Sequence, residues 1–136
     1  MKWDCAIGGQ PPSVNHTYKM GRLAVRRKGH PVLHEDGSQK FITRPVKTEE
    51  AKRYQQDAQL VLQAAKPSRW TPNGQLRVVF DLYLGRDEDA DNVLKLLLDA
   101  LSRAIDYDDK YFLPCINSKV SGERRPYVLV TVEDAE

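Results

Sequence analysis

From Leu76 to Leu84 every second residue is apolar: Leu76, Val78, Phe80, Leu82 and Leu84, with Arg77, Asp81 and Tyr83 among the residues between them. Strict alternation predicts a strand with one buried face. Tyr127 to Glu133 is the most strongly β-forming run, and Phe112 to Val120 predicts a further strand, joined to it by Ser121–Pro126. Residues 2–7, KWDCAI, predict a short strand that the Gly8-Gly9 and Pro11-Pro12 pairs end. Two stretches change the period to that of a helix. From Thr48 to Lys66, Ala51, Tyr54, Ala58, Val61, Leu62 and Ala65 recur at i+3/i+4 spacing. Thr48 is the expected cap, Glu49 and Glu50 suit the positive helix end, and Pro67 stops the helix, which reads as scaffold.

The second helical stretch runs from Asn92 to Ile105, with no Gly or Pro and with Asp91 or Asn92 as the expected cap. At 100° per residue, Asp91, Asn92, Lys95, Asp99, Ser102, Arg103 and Asp106 share one polar stripe. Val93, Leu94, Leu96, Leu97, Leu98, Ala100, Leu101, Ala104 and Ile105 take up the rest, more than a surface helix needs. Such a helix is buried on most sides, in a core or at a subunit interface. Between the first strand and the first helix, Leu23 and Val25 alternate with basic residues, and Val32-Leu33 and Phe41-Ile42 suggest more short strands. Glu35-Asp36-Gly37-Ser38 is a turn signal, so a basic hairpin is expected. The fold class predicted is mixed α/β (α+β): one domain over residues 1–136, a single twisted mixed sheet and two main helices, dimerising.

Composition adds bounds. The 136 residues are 40% hydrophobic and 29% charged, an ordinary globular balance. Cys5 and Cys115 stand alone, which argues against a zinc site or a disulfide framework. His30 and His34 have no Cys near them, and Pro31 opposes a helix there, so zinc is rejected at that pair as well. No signal peptide and no membrane span is expected, and a cytoplasmic setting is the default. The net charge of +2 hides an asymmetry. Residues 19–53 hold ten Lys/Arg against four Asp/Glu, whereas residues 81–111 hold nine acids against four bases. A basic half beside an acidic cluster suits an enzyme that grips a polyanion and cuts it.

The acidic cluster forms two turns around the second helix. Asp87, Glu88, Asp89 and Asp91 precede it, and Asp108 and Asp109 follow it. Crowded carboxylates repel unless protons or cations neutralise them, and Mg²⁺ takes carboxylate oxygens while keeping several waters. Lys95, one turn beyond Asp91, would hold a phosphate or an attacking water. Together these are parts of a metal-assisted phosphodiester hydrolase. An EF-hand calcium loop fails, because its sixth position is Asn92 instead of Gly and its twelfth is Leu98 instead of Glu. A solvated acidic loop is the plain alternative for the first turn, and the conjunction with Lys95 and Asp108-Asp109 argues against it. Asp99 and Asp106 read as surface or capping residues. If the chain stays extended through the turn, Asp89 and Asp91 point the same way, ~7 Å apart at Cα.

The segment resembles the signature of the RusA-type Holliday junction resolvases, D-x-D-N-x-x-K, then D-A-L, then D-D. The matching residues are Asp89-Ala90-Asp91-Asn92, Lys95, Asp99-Ala100-Leu101 and Asp108-Asp109. The resemblance implies that Asp89, Asp91 and Asp109 bind catalytic magnesium and that Lys95 is required for cleavage. In place of the glycine and tryptophan that the family often carries before D-D, this chain has Ala104-Ile105-Asp106-Tyr107, one residue shorter. That departure leaves Asp108 and Asp109 both open as the third ligand, with Asp109 favoured. The resemblance also implies a homodimer that places paired symmetric nicks in a four-way DNA junction during recombination and repair, and a bacterial or phage source. Mg²⁺ is the expected cofactor, with Mn²⁺ as a substitute.

Expected DNA contacts are His16 in the proline-rich segment, Lys19, Arg22, Arg26, Arg27 and Lys28 of the basic ribbon, and Lys119, where the family often has a lysine after D-D. His16 has a plain loop position as its alternative. Two other functions remain at this point: another metal-dependent nuclease acting on branched DNA, flaps or RNA, and a non-catalytic nucleic-acid-binding protein.

Overall fold

A computed structural model of the chain describes residues 1–12 and 18–135. In chain order its elements are β1 (Lys2–Gly8), β2 (Tyr18–Ala24), β3 (Arg26–Arg27), β4 (His30–Pro31), β5 (Phe41–Lys47), α1 (Glu49–Ala65), β6 (Leu76–Tyr83), α2 (Ala90–Ile105), a 3₁₀ turn (Asp109–Tyr111), β7 (Phe112–Val120) and β8 (Tyr127–Asp134). Four strands form one sheet in the order β1-β8-β6-β7. β8 is antiparallel to both of its neighbours, whereas β6 and β7 are parallel, so the sheet is mixed. Parallel neighbours need a crossover instead of a tight turn, and α2 supplies it.

The alternation read from the sequence sets the buried face. Leu76, Val78, Phe80 and Leu82 of β6 and Val128, Val130 and Val132 of β8 are buried, together with Trp3 and Ile7 of β1. They share one core with Ala51, Tyr54, Ala58 and Leu62 of α1 and Val93, Leu96, Leu97, Ala100, Leu101 and Ile105 of α2. Each large aliphatic side chain so enclosed contributes about 1.5–3 kcal/mol. Trp3 meets Trp70 edge-on, ring centroids 5.6 Å apart, near the end of the core where β6 begins.

α1 starts as expected: Thr48 Oγ1 accepts the Ala51 N–H at 3.2 Å. Two of its positions differ from the periodicity. Val61 is exposed, and Gln55 is buried between the helices. Gln55 Nε2 donates to the Leu96 carbonyl at 3.3 Å, and its Oε1 accepts from Lys47 Nζ at 2.7 Å. Hydrogen bonding at both ends is what lets an amide occupy that place.

α2 begins two residues earlier than the sequence predicts, and its cap is Asp89 instead of Asp91 or Asn92. It ends at Asp106, which takes the left-handed conformation, φ 52°. The Asp106 and Tyr107 N–H groups both donate to the Ser102 carbonyl.

The basic hairpin is a longer ribbon than its turn signal suggests. β2 and β5 pair antiparallel over seven residues each, and β3 and β4 form a smaller pair at the far end. Lys28 and Gly29 join β3 to β4 with positive φ at both residues, the geometry of a two-residue hairpin turn. Asp36 holds the next turn by accepting the Ser38 hydroxyl and N–H, which keeps its carboxyl below the usual range.

β7 is an edge strand. Pro114, which has no N–H to donate, stands on it, and its register with β6 slips between Phe80 and Asp81, passing over Asn117.

Candidate active site

Hydrogen bonds fix the end of β6 before the acidic loop begins. The Leu84 N–H donates to the Val120 carbonyl at 2.8 Å, and Leu84 accepts from the Glu123 N–H at 2.9 Å. The Gly85 N–H donates to Gln10 Oε1. A Cβ at Gly85 would lie 3.2 Å from that oxygen and 3.4 Å from the Glu123 carbonyl, so glycine suits this close approach. The loop therefore leaves the sheet in a set direction.

Each acid of the loop has its own surroundings. Asp87 pairs with Lys119 Nζ at 2.9 Å. Glu88 is buried and pairs with the Arg86 guanidinium. Asp89 accepts the Asp91 N–H at 3.1 Å and so caps α2. Asp91 lies exposed in the first helical turn. The expectation of an extended chain through Asp91 does not hold, because the Asp89 cap turns the backbone into the helix at Ala90. Asn92 Nδ2 donates to the Pro12 carbonyl at 3.2 Å, which ties the proline-rich segment to the start of α2.

Asp91, Leu94, Lys95, Leu98, Asp99 and Asp109 line one cleft of about 360 Å³ along α2. Asp109 begins the 3₁₀ turn and is exposed, whereas the Asp108 carboxylate caps that turn by accepting the Lys110 N–H at 3.0 Å. Asp108 borders a different hollow, with Ser102, Arg103, Asp106, Tyr107 and Asp109. Asp99, which the sequence reading left on the surface, lines the cleft and pairs with Lys47 at 3.7 Å. Its place in the D-A-L motif was the signal for it.

The cleft is long. Asp91 follows the end of β6, where Tyr83 is level with Val120, while Asp109 precedes the start of β7, where Phe112 is level with Leu76. The two aspartates thus enter from opposite ends of α2, a helix of sixteen residues and so about 24 Å long. Exposed carboxylates are the right donors for a hard divalent ion. Among the described residues, though, no three His, Cys, Asp or Glu side chains gather closely enough to hold one. A single chain brings Asp91, Lys95 and Asp109 to one cleft without bringing Asp89, Asp91 and Asp109 to one point.

Of the expected DNA contacts, Arg26, Arg27 and Lys28 are exposed at the tip of the ribbon. Lys19 and Arg22 lie on β2, level with Val46 and Thr43 of β5. His16 lies outside the described residues. No helix among the described residues is long and apolar enough to cross a membrane.

Residues 25–133 match the family described as Endodeoxyribonuclease RusA. The chain belongs to the RusA endodeoxyribonuclease family. RusA enzymes are Holliday junction resolvases, so the protein is a DNA-cleaving hydrolase of recombination. The match covers both acidic turns, α2 and most of the basic ribbon that a RusA reading uses. No curated protein matches the chain.

Proposed function

We propose that the chain resolves four-way DNA junctions by paired, symmetric nicks, as a homodimer, with Mg²⁺ as cofactor and Mn²⁺ able to replace it. The supporting observation is the cleft that joins Asp91, Lys95 and Asp109 beside the Asp89 cap. Asp89, Asp91 and Asp109 are the proposed cation ligands, with Asp109 preferred over Asp108 because Asp109 lines the cleft with Asp91 and Lys95 and Asp108 does not. A bound divalent ion supplies a water of lowered pKa and neutralises phosphate charge. Lys95, exposed one turn from Asp91, steadies negative charge on the non-bridging oxygens or orients the water. Arg26, Arg27 and Lys28, with Lys19, Arg22 and His16, hold the junction arms through phosphates, and Lys119 is a further contact at the edge of the site. A cytoplasmic enzyme, bacterial or phage-encoded, fits this activity.

The test is cleavage of a synthetic four-way junction with Mg²⁺ or EDTA, by wild type and by Asp91→Asn. Paired nicks that need both the metal and Asp91 are expected. Equal cutting of linear duplex or flaps would replace the resolvase reading with a general nuclease, and binding without any cleavage would refute the proposed chemistry.

A further inference from the structure

The basic ribbon stands apart from the body of the protein. β2 and β5 pair with each other and not with the four-stranded sheet, and among the described residues none from 8 to 50 belongs to the hydrophobic core. The root of the ribbon is anchored near the site: Lys47, the last residue of β5, bonds Gln55 at 2.7 Å and pairs with Asp99 of the cleft at 3.7 Å.

The far end divides in two. The Val25 N–H donates to the Lys40 carbonyl, the Lys40 N–H to the Val32 carbonyl and the Val32 N–H to the Val25 carbonyl, a closed ring of bonds at 2.8–2.9 Å. Two prongs leave that ring. One is the β3–β4 pair with its Lys28-Gly29 turn; the other passes Leu33, bridged to Gln39, and rounds the turn that Asp36 holds. Their charges are opposite. Arg26, Arg27 and Lys28 are exposed on the first, with His30 after the turn and no acid among them, whereas Glu35 and Asp36 are exposed on the second. A polyanion is drawn to the first prong and repelled by the second.

Strand geometry sets the reach. Tyr18 is level with Lys47 at the root, and ten residues lead from it to Lys28 at the tip. At about 3.3 Å per residue, the ribbon spans up to about 33 Å. A duplex arm rises about 3.4 Å per base pair, so that span equals about ten base pairs, close to one helical turn.

We infer that the fork is an outrigger for duplex DNA: its basic prong grips the backbone of one arm up to about ten base pairs from the cut, with the acidic prong turned away. This rests on the proposed junction substrate. It adds that an arm is held far from the point of strand exchange, so that arm length governs binding.

The test uses four-way junctions whose arms, closed by hairpin loops, are about 6 or about 16 base pairs long, shorter and longer than the reach. Wild type is compared with a triple variant, Arg26→Gln with Arg27→Gln and Lys28→Asn, the last a residue that the left-handed turn position accepts. Anisotropy titrations in EDTA read binding without cleavage. On long arms the triple variant should bind at least about tenfold more weakly at low salt, with a salt slope reduced by up to about three. On short arms the two proteins should bind alike, and Glu35→Gln should bind like wild type on both. Hydroxyl-radical footprints should show protection about ten base pairs from the crossover that the triple variant lacks. An equal loss on short and long arms would overturn the inference, as would no loss on either. Because binding alone is read, a wild type that cuts no junction would refute the proposed function and leave the grip of the fork to be decided by arm length. The changed side chains are exposed, and equal melting temperatures will show that folding is preserved.

Discussion

Lys119 Nζ lies 2.9 Å from Asp87 Oδ1, joining the end of β7 to the acidic loop that follows β6. The lysine proposed as a DNA contact is therefore engaged in the free protein, and its roles as tether and as contact can be separated. The side chain of Asp87 is largely exposed, so the pair is worth only about 0.2–1 kcal/mol. As a tether alone, Lys119→Met and Asp87→Asn should have the same effect. As a DNA contact, Lys119→Met weakens junction binding at low salt and reduces its salt slope by about one. Asp87→Asn then leaves binding unchanged or stronger. Anisotropy titrations at several salt concentrations will distinguish the two.

Asp89 and Asp108 are both caps, and only Asp89 is proposed as a ligand. Asparagine caps as well as aspartate, whereas alanine costs about 1 kcal/mol. Asp89→Asn should leave the melting temperature unchanged and lower cleavage about 100-fold or more, in the range seen when one charge-stabilising group is lost. Asp89→Ala should lose both. Asp108→Asn should keep both, while Asp109→Asn should lose cleavage alone. A cleavage loss in Asp108→Asn equal to that in Asp109→Asn would reverse the assignment between them.

The Tyr54 hydroxyl is buried without a hydrogen-bond partner among the described residues, and burial pushes its phenol above the ordinary tyrosine range. An unpaired buried hydroxyl costs about 1–3 kcal/mol. Tyr54→Phe removes the oxygen and keeps the ring that packs in the core. Stability should hold or rise by about 1 kcal/mol in chemical denaturation, and a loss greater than that would mean the hydroxyl has a partner.

The core strands and both helices could be read from the sequence because their periods are regular. In Leu76 to Leu84 every second residue is apolar, and those five, Leu76, Val78, Phe80, Leu82 and Leu84, are all buried. The start of α2 was harder, since Asp89, Asp91 and Asn92 are all good caps and only tertiary placement selects one. Gln55 could not be found from periodicity, because its burial depends on Leu96, far along the chain, and on Lys47 just before the helix. The acidic motif pointed to Asp91, Lys95 and Asp109, which share a cleft. It set them at opposite ends of α2, but it could not reveal the shared cleft, because that follows from how β6 and β7 pair and place the two turns.

Burial, then the negative charge of Asp4, pushes the Cys5 thiol up to about 11. An unfolded thiol ionises near ~8.5. The folded state thus favours the neutral form, so this contribution to stability is complete below pH ~8.5 and is lost as the pH rises toward 11. Wild type should lose stability over that window relative to Cys5→Ala. Cys115, exposed on β7, should react with iodoacetamide at pH 8 well before Cys5. Similar melting curves for both proteins between pH 8 and 11 would contradict the shift.

The crossover from β6 through α2 to β7 also bears on how the enzyme matures. A parallel pair gains no contacts until the whole intervening helix has been crossed, so it closes late relative to local elements. Asp91 and Asp109 face a common cleft only after that closure. A chain released half-made from the ribosome, or one opened by local unfolding at the β7 edge, lacks the cleft altogether. On the proposed ligand set, competence for cleavage is in this way tied to completion of the fold.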